Sequence, residues 1–325
     1  MSQFLLDKDY LVYGAFRRTS APNFWRIEEI GVKDHPKLKL VEADLLDLGA
    51  VIHLIQEVQP DEIYNLAAQS FVSESFIHPT KTYEINSVGT LNLLECIRLT
   101  NKKIKFYQAS TSEMFGNVSA SPQDEETAFH PKSPYGVSKL YAHWMTVNYR
   151  DNYNIFATSG ILFNHESPLR GLDFVTRKIT HSVAQIKAGK IASFELGNLD
   201  ARRDWGFAKD YIEGMWKMLQ VDTPDTFVLA TGKSETVRTF LAMAFECAEI
   251  DIEFEGRHEN ELVIDKKTGA ILVKVNPNFY RPGEVHSLIG NPQKAKKILG
   301  WEPRLKLAEL CRLMVTSDIQ KTSRK

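Results

Sequence analysis

Tyr135 and Lys139 lie four positions apart in the stretch SPYGVSKLYA, whose apolar residues recur at helical spacing. Residues four apart share one face of a helix, so the two side chains are expected to lie side by side. An ammonium beside a phenol favours the phenolate and lowers a phenol pKa that is otherwise about 10. Such a pair can move a proton at neutral pH. The same spacing also arises by chance on solvated helix faces, so the pair alone does not establish a site.

A cluster of hydroxyl and carboxyl side chains comes about twenty residues before this pair. Ser110, Thr111, Ser112 and Glu113 form the end of the run IKFYQAS and the turn after it, and the run is typical of a β-strand. Parallel α/β sheets bind ligands at the carboxyl ends of their strands. A hydroxyl-rich turn that caps a helix is the alternative interpretation. The combination of this cluster with the helix that follows favours a catalytic site.

Strands and helices alternate through the first half of the chain. Five runs rich in β-branched and aromatic residues predict strands: LVYGA, LKLVEADL, EIYNLAA, IKFYQAS and FATSGILFN. Apolar residues at helical spacing predict helices between them, as in DLGAVIHLIQEVQ and NSVGTLNLLECIRL. Strands that are apolar on both faces and alternate with helices predict an α/β fold, a doubly wound, Rossmann-like parallel sheet.

The alternation loosens after about residue 164. VTRKITHSVAQIKAG and NPQKAKKILGWEP predict helices, the second ending at Gly300, and ELVIDKKTGAILVKV predicts a hairpin that turns near KKTG. No linker separates this region from the sheet. We therefore expect a sheet domain over residues 1–163 and a smaller lobe over residues 164–325, some segments of which return to the sheet.

Composition limits the classes of protein to consider. The 325 residues are 43% hydrophobic and carry a formal net charge of −1, so neither nucleic acid nor a membrane surface is an expected partner. Cys96, Cys247 and Cys311 lie far apart, which favours a reducing, cytoplasmic location. No apolar run approaches the roughly 18 residues that span a bilayer. Scattered histidines and the absence of paired cysteines argue against a metal site.

Eight stretches in order along the chain resemble the GDP-mannose 4,6-dehydratase family, from the nucleotide-sugar branch of the short-chain dehydrogenase/reductase superfamily. They are QPDEIYNLAAQSFV, FYQASTSEMFG, SPYGVSKLYAHWMTVNYRDNY, GILFNHESPLRG, FVTRKIT, LGNLDARRDWGFAKDY, FVLATG and YRPGEVHSLIGNP. The resemblance implies a catalytic set of Thr111, Glu113, Tyr135 and Lys139. It implies dehydration of GDP-mannose to GDP-4-keto-6-deoxymannose, with a hydride leaving carbon 4, water leaving across carbons 5 and 6, and the hydride returning to carbon 6.

The resemblance also implies contacts for a cofactor and for a GDP sugar. Arginines after the first predicted strand suit the 2′-phosphate of NADP rather than the ribose of NAD. The implied cofactor contacts are Arg17, Arg18, Asp44, Leu45, Leu66, Ala67, Ala68, Ser110, Tyr135, Lys139, His165 and Arg170. The implied substrate contacts are Ser70, Ser112, Asn164, Lys178, Gly197, Arg203, Arg281 and Glu284. A homo-oligomer, dimer or tetramer, is expected as well.

The opening stretch SQFLLDKDYLVYGAFRR departs from the family pattern. It predicts a helix end, a turn and a strand, which is the middle of a βαβ unit. About twenty residues, a first strand and a glycine-rich loop, are therefore expected to be missing by comparison with a unit of roughly 30 residues. Two alternatives to the expected activity stay open: dehydration of a related GDP sugar such as GDP-manno-heptose, with a pocket around Ser70, Ser73 and Ser112, and a non-catalytic GDP-sugar-binding protein without cofactor.

Overall fold

The computed structural model describes residues 1–21, 23–280 and 288–323, and these form two compact units. The first unit comprises Met1–Ser110, Pro134–Gly160 and Ile212–Phe227. The second comprises Thr111–Ser133, Ile161–Tyr211 and Val228–Lys325. The assignment of cofactor binding to residues 1–163 and of substrate binding to residues 164–325 stays a prediction.

The first unit follows the predicted alternation of strands and helices. Its helices are α1 (Ser2–Leu6), α2 (Trp25–Glu29), α3 (Leu48–Val58), α4 (Val72–Ile77), α5 (Pro79–Tyr83), α6 (Gly89–Thr100) and α7 (Pro134–Tyr153). Its strands are β1 (Val12–Phe16), β2 (Leu38–Glu42), β3 (Glu62–Asn65), β4 (Lys105–Thr111) and β5 (Ala157–Leu162), the last two of which end in the second unit. Strand β1 pairs in parallel with β2 as a separate two-stranded sheet. Strand β3 pairs in parallel with β4, and β4 lies between β3 and β5. The predicted α/β fold with parallel strands is confirmed.

Helices α3 and α6 build the core that holds β4 in place. Helix α3 begins after Asp47, whose carboxylate accepts a hydrogen bond from the backbone N–H of Ala50 at 3.0 Å, a typical N-cap. Leu94 and Ile97 of α6 pack with Phe106 of β4, and all three are fully buried. Each such side chain contributes about 1.5–3 kcal/mol through burial. The core thereby fixes the strand that carries Ser110 at its carboxyl end.

The second unit contains short strand pairs and four helices among its described residues. Its helices are α8 (Val175–Lys187), α10 (Val237–Cys247), α11 (Gln293–Leu299) and α12 (Leu307–Ser323). Its strands are β6 (Asn164–Glu166), β7 (Phe194–Leu196), β8 (Arg202–Arg203), β9 (Trp205–Phe207), β11 (Glu235–Thr236), β12 (Ile252–Glu255), β13 (Leu262–Asp265) and β14 (Ile271–Val275). Helix α9 (Ala208–Met218) and strand β10 (Thr226–Leu229) belong to both units.

Two local predictions for this region are confirmed. Strands β13 and β14 pair antiparallel, as the predicted hairpin requires, and β14 also pairs in parallel with β7. Helix α11 ends at Gly300, which adopts the left-handed φ of 57° that favours glycine at this position.

Across the described residues no helix is both long and apolar enough to cross a membrane. The same part of the chain holds no group of His, Cys, Asp and Glu side chains arranged for a metal ion.

Candidate active site

Helix α7 presents Tyr135, Lys139 and His143 on one buried face, because residues four apart lie one turn apart. The three are only 8%, 3% and 3% exposed. The Lys139 ammonium donates a hydrogen bond of 2.9 Å to the backbone carbonyl of Ala109 on β4. Burial lowers the pKa of Lys139 to about 8. A titratable cation thus lies one helical turn from Tyr135, at the carboxyl end of β4.

Ser110 takes part in a buried network that the sequence did not predict. Its Oγ lies 2.8 Å from Ser159 Oγ on β5, and Ser159 Oγ lies 2.8 Å from His143 Nδ1. Burial lowers the pKa of His143 to about 4, so this ring is neutral at physiological pH. His143 lies four positions after Lys139, so the helical spacing alone could have identified it. Ser159 carries no comparable sequence signal.

Thr111 and Glu113 lie on the turn that follows β4. Thr111 ends the strand, and its hydroxyl accepts a hydrogen bond of 3.3 Å from the backbone N–H of Glu113. This contact starts the short 3₁₀ helix Ser112–Met114. The Glu113 side chain is partly exposed, whereas Ser112 is only 2% exposed. The turn therefore leaves Glu113 partly accessible to solvent.

The arginines and the aspartate expected to contact cofactor follow β1 and β2. Arg17 and Arg18 are exposed, and Arg18 lies 3.9 Å from Glu42 in a loose surface ion pair. Asp44 is exposed, and its carboxylate accepts a hydrogen bond from the backbone N–H of Leu46 at 3.0 Å. Leu45 beside it is half-buried. Because β1 and β2 are parallel, these residues share one edge of their sheet.

The segment after β3 is held by Asn86, another residue that the sequence analysis missed. Leu66, Ala67 and Ser70 are exposed and Ala68 is half-buried. The side chain of Asn86 accepts from the backbone N–H of Gln69 at 2.8 Å and donates to the carbonyl of Gln69 at 3.1 Å. The same amide nitrogen of Asn86 lies 3.0 Å from the Ser138 hydroxyl on α7. This segment is therefore tied to the helix that carries Tyr135 and Lys139.

Two residues expected near the cofactor lie in the second unit. The ring of His165 stacks on Tyr211 with centroids 5.0 Å apart and planes 19° apart. His165 Nδ1 lies 2.9 Å from the carbonyl of Phe163, so Nδ1 carries the hydrogen, and burial lowers the pKa of the ring. Arg170 Nε lies 3.2 Å from a carboxylate oxygen of Glu166. Both side chains are thus fixed by neighbours within their own unit.

Lys178 and Gly197 both lie against Phe279. The Lys178 ammonium lies 4.3 Å from the centre of the Phe279 ring, and burial lowers its pKa. A Cβ on Gly197 would come within 2.8 Å of the Phe279 carbonyl oxygen, so only glycine fits here. Phe279 itself is 48% exposed. The structure therefore brings two predicted substrate contacts together around an exposed aromatic ring.

Two further predicted substrate contacts of this unit, Asn164 and Arg203, lie on short strands. Asn164 on β6 pairs with Trp205 on β9, and Arg203 on β8 is 7% exposed with its guanidinium donating to the carbonyl of Arg202. Asp204, the residue after Arg203, was not predicted from the sequence. Predicted contacts Arg281 and Glu284 lie outside the described residues.

Asp204 is a buried anchor for two other segments of the second unit. Its carboxylate accepts hydrogen bonds from the backbone and hydroxyl of Thr231 (2.8 and 2.6 Å) and from the backbone N–H groups of Gly232 (2.9 Å) and Gly290 (3.3 Å). Burial raises the pKa of Asp204 in spite of these bonds. A fully buried carboxylate needs several donors to be tolerated. Asp204 thus fixes the backbone beside Arg203.

A parallel α/β sheet followed by a helix that carries a tyrosine and a lysine four positions apart, here Tyr135 and Lys139, is typical of the short-chain dehydrogenase/reductase class. A family model described as GDP-mannose 4,6 dehydratase matches residues 1–314. The GDP-mannose 4,6-dehydratase of Yersinia enterocolitica is 48% identical and covers 98% of this chain and 90% of its own length. The chain therefore belongs to the GDP-mannose 4,6-dehydratase family.

Solved structures with lower identity share the fold. The dTDP-glucose 4,6-dehydratase DesIV from Streptomyces venezuelae, with NAD and TYD bound, gives a TM-score of 0.83 at 20% identity over 99% of this chain and 94% of that one. RMD from Pseudomonas aeruginosa, complexed with NADPH, gives 0.75 at 22% identity over 94% of this chain and 99% of that one.

Proposed function

We propose that the protein converts GDP-mannose to GDP-4-keto-6-deoxymannose with NADP as its cofactor. The observation that carries the proposal is the buried Lys139 ammonium, one helical turn after Tyr135 and bonded to the end of β4. Family membership over nearly the whole chain supports the choice of reaction and of sugar. It favours mannose over a heptose, and an enzyme over a non-catalytic binding protein.

The residues after β1, β2 and β3 fit a phosphorylated dinucleotide. Exposed Arg17 and Arg18 offer cations to a 2′-phosphate, and the small residues Ala67 and Ala68 allow close approach to the backbone. Further contacts are assigned to Asp44, Leu45, Leu66, Ser110, His165 and Arg170. NADP held by these residues would supply a nicotinamide able to take up a hydride from the sugar and give it back.

The chain's own residues handle the protons. Tyr135 removes the proton of the carbon 4 hydroxyl, and the nearby positive charge of Lys139 stabilises the phenolate that this requires. Thr111 donates a hydrogen bond to the oxygen on carbon 4 and stabilises the enolate-like charge. Glu113 removes the acidified proton of carbon 5 and delivers it to the departing hydroxyl of carbon 6, which leaves as water. The proton held by Tyr135 returns to carbon 5 when carbon 6 is reduced.

The nucleotide is assigned to basic and polar residues of the second unit. Lys178 and Arg203 supply cations to the diphosphate, and Asn164 and Gly197 line the same ligand. Ser70 and Ser112 are assigned to the sugar, and Arg281 and Glu284 to the nucleotide. Lys178 beside an exposed Phe279 supports this assignment, since an aromatic ring and an ammonium suit a base linked to phosphate.

We also propose a homo-oligomer, dimer or tetramer, in the cytoplasm. Val137 and Trp144 of α7 are 56% and 54% exposed, and Tyr141 between them contacts Tyr83, which is itself 48% exposed. Large apolar side chains that share an exposed face favour contact with a second chain. All three cysteines are free thiols, as expected in a reducing compartment.

The test is turnover of GDP-mannose by the purified protein with added NADP, followed by mass spectrometry for loss of one water. In Glu113→Gln, exchange of the hydrogen on carbon 4 should survive while dehydration fails. Glu126→Gln, an exposed glutamate on the connection between β4 and α7, is the control and should dehydrate normally. Normal dehydration by Glu113→Gln would contradict the role of Glu113. GDP-manno-heptose in a parallel reaction tests the sugar, and GDP titration with assay of copurified NADP(H) tests the non-catalytic alternative.

A further inference from the structure

A buried network behind Ser110 has no role in the reaction as proposed above. Ser159 Oγ lies 2.8 Å from both Ser110 Oγ and His143 Nδ1, and Ser110 Oγ lies 3.4 Å from the same nitrogen. Ser110 and His143 are 3% exposed and Ser159 is fully buried. Such a network on two adjacent strands and a helix fixes the direction in which each hydroxyl points.

The direction of the hydrogen bonds depends on which ring nitrogen of His143 carries the hydrogen. Because burial keeps the imidazole neutral, one ring nitrogen donates and the other accepts. With hydrogen on Nε2, the usual tautomer of free histidine, Nδ1 accepts from Ser159 and Ser159 accepts from Ser110. The Ser110 hydrogen then points inward, and its oxygen presents only lone pairs to a ligand. With hydrogen on Nδ1 the chain runs in reverse, and Ser110 becomes a donor.

Lys139 and His143 act on consecutive residues of the same strand. Lys139 bonds the carbonyl of Ala109, and His143 reaches the side chain of Ser110. The next residue, Thr111, is assigned to the oxygen on carbon 4. One face of α7 therefore orients the backbone and the hydroxyl immediately before a proposed catalytic residue.

We propose that His143 and Ser159 are positioning residues that orient the Ser110 hydroxyl as a hydrogen-bond acceptor for an N–H or O–H group of the bound cofactor. The inference rests on the proposed function, because Ser110 is assigned there to cofactor contact. His143 and Ser159 themselves touch no ligand in this arrangement. Their effect on the reaction passes through Ser110.

The first test reads the tautomer in ligand-free protein and needs no activity. Histidine labelled with nitrogen-15 shows by NMR which ring nitrogen of His143 carries hydrogen, with His143→Gln used to assign the signal. We expect Nδ1 without hydrogen at neutral pH and a shift of its resonance in Ser159→Ala. Hydrogen on Nδ1, or a resonance unaffected by Ser159→Ala, would overturn the proposal.

The second test is a double-mutant cycle in turnover of GDP-mannose. His143→Phe should lower kcat on the order of tenfold, as expected for one neutral hydrogen bond, and leave the affinity for GDP unchanged. In a Ser110→Ala background His143→Phe should have no further effect, whereas a merely structural role would give additive losses. His143→Gln, whose amide oxygen can accept, should recover part of kcat.

Thr146→Val is the matched control. Thr146 is buried on the same side of α7, and its hydroxyl donates to the carbonyl of Ala142 within the helix, so kcat should not change. Additive losses in the cycle, or a loss in Thr146→Val equal to that in His143→Phe, would overturn the proposal. Failure of the wild-type protein to act on GDP-mannose would refute the proposed function, and the tautomer would still decide the direction of the network.

Discussion

Replacing Lys139 by Met is expected to stabilise the protein and abolish its activity. Burial lowers the pKa of Lys139 from 10.5 to about 8, a shift that corresponds to about 3 kcal/mol of cost for keeping this ammonium charged at neutral pH. Met removes that cost but leaves the carbonyl of Ala109 without its donor, which costs about 1–3 kcal/mol. The free energy of unfolding of Lys139→Met should therefore rise by about 1 kcal/mol at pH 7.

The pH dependence gives the sharper measurement. Between pH 8 and 10.5 the unfolded chain binds a proton at Lys139 that the folded protein does not, so the wild-type protein gains stability as pH rises through this window. The gain in stability is complete above pH 10.5 and is absent below pH 8. Lys139→Met lacks this gain, so its curve of unfolding free energy against pH should cross that of the wild type. Urea unfolding at several pH values from 7 to 10.5 measures both curves.

The exposed lysine at position 102 provides the control for general alkaline effects. Lys102→Met should follow the wild-type curve throughout. Parallel curves for Lys139→Met and wild type, with no crossing, would refute the argument that a charged, buried lysine limits stability here. In the turnover assay Lys139→Met should lose dehydration, and wild-type kcat/KM should fall above about pH 8 as the ammonium loses its proton.

Three further predictions concern packing, a buried ion pair and the cofactor. Asp318→Ala should lower the free energy of unfolding by about 3–5 kcal/mol in urea unfolding, because it leaves Arg177 buried without the carboxylate 2.7 Å away. The double variant Asp318→Leu with Arg177→Met should recover most of the lost free energy of unfolding. Gly290→Ala should cost about 1–3 kcal/mol in the same assay, since a Cβ there collides with the Cβ of Ala230. Arg18→Ala should weaken NADP binding about tenfold relative to NAD in fluorescence titrations, if the guanidinium contacts the 2′-phosphate.

Long elements with a strong periodic pattern could be predicted from the sequence. Strand β5 reads as an apolar run because both of its faces are covered, and all six of its residues are buried. The hairpin of β13 and β14 has its turn at a glycine with φ of 71°. The pairs β6–β9 and β8–β11 could not be predicted. With two or three residues each, these strands are too short for a period to appear, and they exist only through partners far along the chain.

The same distinction separates the parts of the site that could be predicted from those that could not. Tyr135 and Lys139 are related by a helical repeat, so their shared face follows from the sequence, and continuing that repeat by one turn reaches His143. Ser159 and Asp204 matter because of donors and acceptors brought from other segments, and a serine or aspartate at either position has no local signature. Each is tolerated in the interior only because those partners are in place. A buried polar group with such distant partners costs stability that a packed apolar residue would not cost. The presence of such groups beside Ser110 and Arg203 is therefore a physical reason to look for function at both places.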